Sequence, residues 1–239
     1  MLIINIYFMS EKGIVCTLGP ASWNLMKDLK DAGMSIARIN GSFGIPYKKA
    51  IEELRQLGVK ILVDIPGNRK KTKFSYIQDD DLINFAIENK MDYVGVSYVS
   101  NANEIKDIRK TLNGNHLKIV AKIETKEGFE NREEIIKEAD KILIDRGDLG
   151  TSIGFEKVPY CQVEILKDCV RLNTPVIVAT EMMMSTIEKT KPNCADVSDV
   201  YFAASHGANY VMLSEETAIG KNPIDTVKIM RKILDEIKN

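Results

Sequence analysis

The sequence predicts an α/β protein of the (β/α)8 barrel type, and three observations lead to this prediction. Short runs rich in Val, Ile and Leu alternate with amphipathic helical stretches along the 239 residues. No composition break or linker interrupts the alternation, so we expect one domain over residues 1–239. Eight strand-helix units in a chain of this length fit a closed barrel, whereas a doubly wound sheet usually has fewer units.

The eight predicted strands are short and mostly apolar. This composition is typical of parallel strands that are buried on both faces. In chain order they span residues 14–17, 36–40, 61–65, 93–97, 118–123, 141–144, 175–179 and 210–213.

The segments between the strands carry signals for helix starts. The acidic run Asp79-Asp80-Asp81 precedes one apolar helical pattern, and Asn101 precedes the next. Such residues are typical N-caps because their side chains accept hydrogen bonds from the first free N–H groups. The last helix is expected to begin near Pro223 and to end near Ile237.

Composition and charge exclude several classes of protein. The chain has 33 Lys and Arg against 34 Asp and Glu, so it lacks the basic excess of proteins that bind nucleic acid or anionic membranes. Its four cysteines match no CxxC metal-ligand pair, and we expect reduced thiols. With neither a signal peptide nor an apolar run of membrane-spanning length, the sequence predicts a cytoplasmic protein that binds a small molecule.

Polar and ionisable residues gather at the carboxyl ends of the predicted strands. Active sites of this fold lie at that end of the barrel and in the loops that follow. Taken singly, a strand-end acid is as often a loop cap or an ion-pair partner as a functional group. The residues in question are Thr17, Arg38, Asn40, Ser42, Asp64, Lys122, Glu124, Asp145, Gly147, Asp148, Thr180, Glu181, Glu215 and Glu216.

Glu124, Asp148 and Lys122 form a joint pattern that favours a functional site. The two carboxylates follow neighbouring strands and suit one Mg2+ ion, a hard cation that prefers oxygen ligands. Lys122 lies two residues before Glu124, so both side chains project to the same side of the strand. An ammonium there would stabilise charge on a phosphoryl group or an enolate. A Gly-rich turn at Gly147 leads into a short helix whose N–H groups favour an anion, and Arg38 suits bidentate contact with an oxyanion.

Several motifs, taken in order, resemble the catalytic barrel domain of the pyruvate kinase family from about Gly13 to Ile237. Any one of them would be weak, but their order and their places at strand ends make the resemblance specific. They are Cys16-Thr17-Leu18-Gly19-Pro20, Arg38-Ile39-Asn40-Gly41-Ser42, Ala121-Lys122-Ile123-Glu124, Arg146-Gly147-Asp148-Leu149-Gly150, Val178-Ala179-Thr180 and Leu213-Ser214-Glu215-Glu216-Thr217.

The resemblance implies a role for nine residues. It also implies Mg2+ or Mn2+ as cofactor, phosphoenolpyruvate or pyruvate as substrate, and a place in glycolysis. The catalytic residues would be Lys122, Arg38 and Thr180, the substrate would contact Arg38, Lys122, Gly147, Asp148 and Thr180, Mg2+ would bind Glu124 and Asp148, and K+ would bind Asn40, Ser42 and Asp64.

Departures from the family pattern crowd the nucleotide side. Phe43 and Lys71 stand where the family has a histidine and an arginine, and Asn68 replaces a proline. Arg69 provides a basic residue near the monovalent ion, which argues against a K+ requirement. We also expect neither the lid domain that the family inserts after the third strand nor its C-terminal regulatory domain. Asp145, Glu181 and Glu215 add carboxylates around the barrel mouth.

Three functions remain open from the sequence. The first is a pyruvate kinase-like phosphotransferase that stabilises an enolate, with impaired transfer to ADP. The second is a metal-dependent pyruvate aldolase, lyase or transferase with another acceptor, and the third is a non-catalytic phosphoenolpyruvate-binding module. Lys122 favours an enzyme, because binding alone needs that ammonium less than phosphoryl transfer does. The use of ADP or ATP and assembly into a homo-oligomer are left open.

Overall fold

The computed structural model describes residues 12–40, 47–65 and 79–237, and its strands form a closed parallel barrel in chain order. The predicted fold class is confirmed. Half of the sixteen strand ends match the prediction, and the others differ from it by one or two residues. The strands are Gly13–Leu18 (β1), Met34–Ile39 (β2), Lys60–Ile65 (β3), Tyr93–Val96 (β4), Lys118–Ile123 (β5), Lys141–Asp145 (β6), Val176–Ala179 (β7) and Tyr210–Leu213 (β8).

The described residues contain eleven α-helices. One begins at Asp79, so the acidic run lies inside the helix rather than before it, and the last ends at Asp235 rather than at Ile237. Their bounds are Met26–Ala32 (α1), Tyr47–Gln56 (α2), Asp79–Glu88 (α3), Ala102–Leu112 (α4), Lys126–Glu130 (α5), Arg132–Glu138 (α6), Arg146–Ile153 (α7), Val158–Leu172 (α8), Cys194–Ser205 (α9), Glu215–Ala218 (α10) and Pro223–Asp235 (α11).

The predicted N-cap of α4 is present. The Asn101 side chain accepts hydrogen bonds from the N–H groups of Asn103 and Glu104, at 3.0 and 3.4 Å. These bonds satisfy two of the four N–H groups that a helix start leaves without an internal partner.

Among the described residues, no helix combines the length and apolar character needed to cross a membrane.

The chain divides into two compact units. The first comprises the described residues of Met1–Ile61 and Ile177–Asn239, and the second is Leu62–Val176. In the first unit, β1 pairs in parallel with β2 and with β8, and β7 pairs with β8. The β1–β2 register places Thr17 beside Arg38, and the apolar strand residues are buried.

In the second unit, β3 to β6 pair in parallel in chain order. The register places Asp64 beside Gly95 and Lys122 beside Leu143. Since the carboxyl ends of parallel strands meet at one edge, the polar residues that end these strands are brought together there.

Candidate active site

The buried ammonium of Lys122 is the centre of the site in the second unit. Lys122 is the fifth residue of β5 and is 2% exposed. Its Nζ lies 2.7 Å from Glu124 Oε1, 3.3 Å from Asp64 Oδ2 and 3.7 Å from Asp145 Oδ2. It also donates a hydrogen bond to Ser97 Oγ at 3.4 Å. One ammonium therefore faces three carboxylates, at the strand-end position that the sequence predicts.

Gly95 leaves room for the Asp64 carboxylate beside Lys122. A Cβ at Gly95 would lie 2.5 Å from Asp64 Oδ1, closer than nonbonded atoms approach. Any larger residue at position 95 would therefore displace the Asp64 carboxylate from its place beside the ammonium.

Three carboxylates next to Lys122 form a cluster that fits a divalent cation. Glu124, Asp145 and Asp148 each offer an oxygen, and these oxygens all lie within 4.8 Å of one another. Glu124 Oε1 is buried and forms a 2.7 Å ion pair with Lys122 Nζ. Oxygen donors of this kind suit Mg2+ or Mn2+.

Burial changes the acidity of Glu124. Loss of solvent raises the pKa of this carboxyl to about 7, the Lys122 ammonium opposes the rise, and the Asp145 carboxylate adds to it. A cation that binds here must displace the proton, so burial couples cation binding to pH near neutrality.

Asp145 also caps the helix that carries Asp148. Its carboxylate accepts a weak hydrogen bond of 3.5 Å from the Asp148 N–H, as the N-cap of α7. The helix begins where the sequence predicts. However, the Asp145 carboxylate already lies at the start of this helix, so the predicted anion site there is not open. Gly147 lies in the first turn, and its role toward a substrate stays a prediction.

The loop after β4 supplies two site residues that the sequence reasoning missed. The Tyr98 N–H donates to Glu124 Oε2 at 2.5 Å, and its hydroxyl donates to Asp148 Oδ2 at 2.9 Å. Ser97 precedes it and accepts from Lys122. Their position directly after β4 is the signal that could have identified this pair, because active-site residues of this fold follow the strand ends.

The first unit holds the remaining described candidates. Arg38 is buried in β2 and donates to Thr17 Oγ1 at 3.0 Å. Thr180 and Glu181 follow β7 with φ of +65° and +54°, in the left-handed region. That conformation is costly for a β-branched residue, and such strain is most often found at functional sites. Asn40 follows β2 and is half-buried.

The first unit also holds a buried acid, one of the strand-end residues that the sequence predicts. Glu216 is fully buried, and it accepts hydrogen bonds from the N–H groups of Ser214 and Met183 at 2.7 and 3.4 Å. Burial raises the pKa of Glu216. It joins the loop after β7 to the end of β8, whereas its neighbours Glu215 and Glu181 are exposed.

Several predictions concern residues outside the described part of the chain. Ser42 is one of them, so the K+ site predicted for Asn40, Ser42 and Asp64 is not tested. The nucleotide-side departures at Phe43, Asn68, Arg69 and Lys71 also lie outside the described residues, as does the position of a lid after β3, at residues 66–78.

The sequence is similar to known proteins over most of its length. A family model described as the barrel domain of pyruvate kinase matches residues 50–227. The chain belongs to the pyruvate kinase family. It is 37% identical over 186 residues to a pyruvate kinase of Borreliella burgdorferi, an alignment covering 77% of this chain and 39% of that protein.

Two further relatives carry the same name. The chain is 33% identical over 225 residues to a pyruvate kinase of Mycoplasma pneumoniae, which covers 89% of this chain and 44% of the relative. It is 38% identical over 207 residues to one of Geobacillus stearothermophilus, with 85% and 33% covered. The chain therefore spans about two fifths of the length of these pyruvate kinases.

Proposed function

We propose that this chain acts on phosphoenolpyruvate or pyruvate through a divalent cation held by Glu124 and Asp148, and that it stabilises the enolate of pyruvate. The observation that supports this proposal is the buried Lys122 ammonium among the carboxylates of Glu124, Asp145 and Asp64. Membership of the pyruvate kinase family supports phosphotransfer as the class of reaction.

Lys122 would stabilise negative charge as it develops on the substrate. Asp64 and Ser97 accept hydrogen bonds from Nζ and hold the ammonium in place. An ammonium that is already oriented needs no reorganisation during the reaction, and burial strengthens its field. The bound cation would act as a Lewis acid that polarises a substrate oxygen. By family resemblance, Arg38 would bind phosphate and Thr180 would contact the substrate.

We infer that transfer to ADP is slow. Phosphoryl transfer needs an acceptor held in line and water excluded. Phe43 and Lys71 replace two family residues on the nucleotide side. A coupled assay with phosphoenolpyruvate, ADP, Mg2+ and K+ should give turnover well below the enzyme median of about 10 per second. Turnover at that level or above would contradict the inference.

A metal-dependent pyruvate aldolase or lyase is the second candidate, and Asp145 favours it. This residue adds a third carboxylate to the cluster around Lys122. The added negative charge opposes an anionic acceptor such as ADP more than it opposes an aldehyde. Both candidates share the enolate and the cation, and they differ in what the enolate or its phosphate ester meets next.

Exchange of pyruvate methyl hydrogens with solvent tests the shared step. With Mg2+ in D2O, proton NMR should show exchange in the wild type that stops without the metal and falls about 100-fold or more in Lys122→Met. Lys137→Met is the matched control, because Lys137 lies on the surface in an ion pair with Glu133. If the wild type bound phosphoenolpyruvate but exchanged no hydrogens, the non-catalytic binding module would be the better description.

A further inference from the structure

We propose that Tyr98 is a positioning residue that holds the two metal-binding carboxylates, with its N–H on Glu124 and its hydroxyl on Asp148. The inference rests on the proposed function, because it takes these carboxylates to be ligands of the cation. It goes further by assigning their orientation to a residue in the loop after β4.

The contacts of Tyr98 reach both ligands at once. Its N–H lies 2.5 Å from Glu124 Oε2, and its hydroxyl lies 2.9 Å from Asp148 Oδ2. Glu124 follows β5 and Asp148 lies in α7, so one residue links two elements that carry the ligands. Each contact is a hydrogen bond to a carboxylate, the charge-assisted type that is short and strong.

Neighbouring contacts keep the loop after β4 in place. The Ser97 N–H donates to the Ile65 carbonyl at 3.3 Å, and the Asn131 side-chain amide donates to the Ser100 carbonyl at 2.8 Å. Tyr98 itself has φ of +56°, a left-handed conformation that is unfavourable for a non-glycine residue. Contacts on both sides of Tyr98 therefore maintain a backbone conformation that the residue would not adopt by itself.

The two hydrogen bonds determine which oxygens face the cation. The carboxylates of Glu124, Asp145 and Asp148 lie close enough to repel one another. Tyr98 binds Oε2 of Glu124, so Oε1, the oxygen in the ion pair with Lys122, is the one that is turned away from Tyr98 and offered to a cation. Hydrogen-bond donors behind a ligating group fix its orientation, and their loss typically lowers metal affinity about 10–100-fold.

Tyr98→Phe tests the hydroxyl and preserves the ring and the N–H. Mn2+ affinity is measured by electron paramagnetic resonance of free Mn2+, and Mg2+ and Ca2+ affinities by competition. We expect Mn2+ and Mg2+ to bind about tenfold more weakly to the variant. Ca2+ should lose much less, because it tolerates flexible ligand geometry, whereas Mg2+ requires near-octahedral ligands. The ratio of Mg2+ affinity to Ca2+ affinity should therefore be smaller in Tyr98→Phe than in the wild type.

Two comparisons make the outcome decisive. Tyr160→Phe removes a hydroxyl from a tyrosine that is 64% exposed and packs edge-on against Phe129, and it should change nothing. If Tyr98→Phe merely reduced the folded fraction, all three apparent affinities would fall by one factor and the preference would stay constant, which would overturn the proposal. Unchanged affinities in Tyr98→Phe would also overturn it.

The failure of the proposed function gives a different result. In that case the wild type itself would take up no Mn2+, or Asp148→Asn would bind Mn2+ as tightly as the wild type does. Either result overturns the metal site, and the Tyr98 proposal with it. A wild type that binds Mn2+ through Asp148, with no effect of Tyr98→Phe, overturns only the role of Tyr98.

Discussion

The strand ends of the two units satisfy buried charge in different ways. In Leu62–Val176, the Lys122 ammonium meets the carboxylates of Asp64, Glu124 and Asp145. Three acids therefore contact one ammonium. Carboxylate oxygens grouped in this way suit a divalent cation, so the cluster supports a ligand site.

In the first unit, two buried charged groups have neutral groups among their partners. Arg38 donates to the Thr17 hydroxyl, and Glu216 accepts from the N–H groups of Ser214 and Met183. Hydrogen bonds of Glu216 connect segments of the chain and so fix the loop after β7. The comparison teaches that burial of a charged side chain does not by itself indicate a metal site, whereas several carboxylate oxygens grouped within 4.8 Å of one another support one.

Lys122→Met should have the largest effect. Removal of one partner from a buried ion pair costs about 3–5 kcal/mol, and here it leaves buried carboxylates without their ammonium. The free energy of unfolding in urea should fall by that amount, and Mn2+ should restore more of it in the variant than it adds to the wild type. The surface variant Lys137→Met should show no measurable loss, and equal losses in the two variants would contradict this account.

The pH dependence of stability should follow Glu124. Burial raises its pKa from 4.5 to about 7, so the folded state binds this proton more tightly than the unfolded chain does. Without a cation, stability should fall on the order of 2–3 kcal/mol as the pH rises from 4.5 to 8. Thermal unfolding from pH 5 to 8 should show that decline, and Glu124→Gln should flatten it. A rise in the wild type that is absent from Glu124→Gln would show that the pKa moves the other way.

Glu216→Ala should lower stability without changing cation binding. It removes the acceptor for the Ser214 and Met183 N–H groups, and each buried group left without a partner costs about 1–3 kcal/mol. We expect a loss of about 2 kcal/mol in urea unfolding, and Mn2+ affinity equal to that of the wild type. Glu215→Ala is the control, because Glu215 is exposed and its loss should change stability little. A large loss of Mn2+ affinity in Glu216→Ala would undermine the comparison between the units.

Two substitutions of Asp145 should separate its role as helix cap from its role as metal ligand. Of the variants discussed here, they should change stability least. Asp145→Ala removes the N-cap of α7 and should cost about 1 kcal/mol, whereas Asp145→Asn keeps a good cap and should preserve stability. Both remove a carboxylate and should weaken Mn2+ binding severalfold. If Asp145→Asn binds Mn2+ as the wild type does, Asp145 is a cap and not a ligand.

Strand positions and the main site residues could be predicted from the sequence, because both follow local rules. Apolar runs predict β5 and β8 at their observed bounds, and the two-residue spacing of Lys122 and Glu124 predicts a shared side. The link from Tyr98 to Glu124 and Asp148 could not be predicted in this way. It depends on a left-handed residue between elements far apart in the chain, and neither composition nor periodicity encodes that conformation.

For Asp64, the family resemblance and the structure give different information about its partners. The resemblance implies a K+ ligand, and the structure places its carboxylate 3.3 Å from Lys122 Nζ. That contact arises from the pairing of β3 with β4 and of β4 with β5, which a single strand pattern does not reveal. The K+ role stays a prediction, because Ser42 lies outside the described residues.

Titration of the wild type with Mn2+, in the presence and absence of phosphoenolpyruvate, tests the central claim most directly. The account predicts that Mn2+ and phosphoenolpyruvate bind together, each tightening the other, and that this coupling disappears in Glu124→Gln and in Asp148→Asn. Phosphoenolpyruvate that binds equally well without Mn2+, or coupling that survives in both variants, would contradict the claim that these carboxylates hold the cation against the substrate.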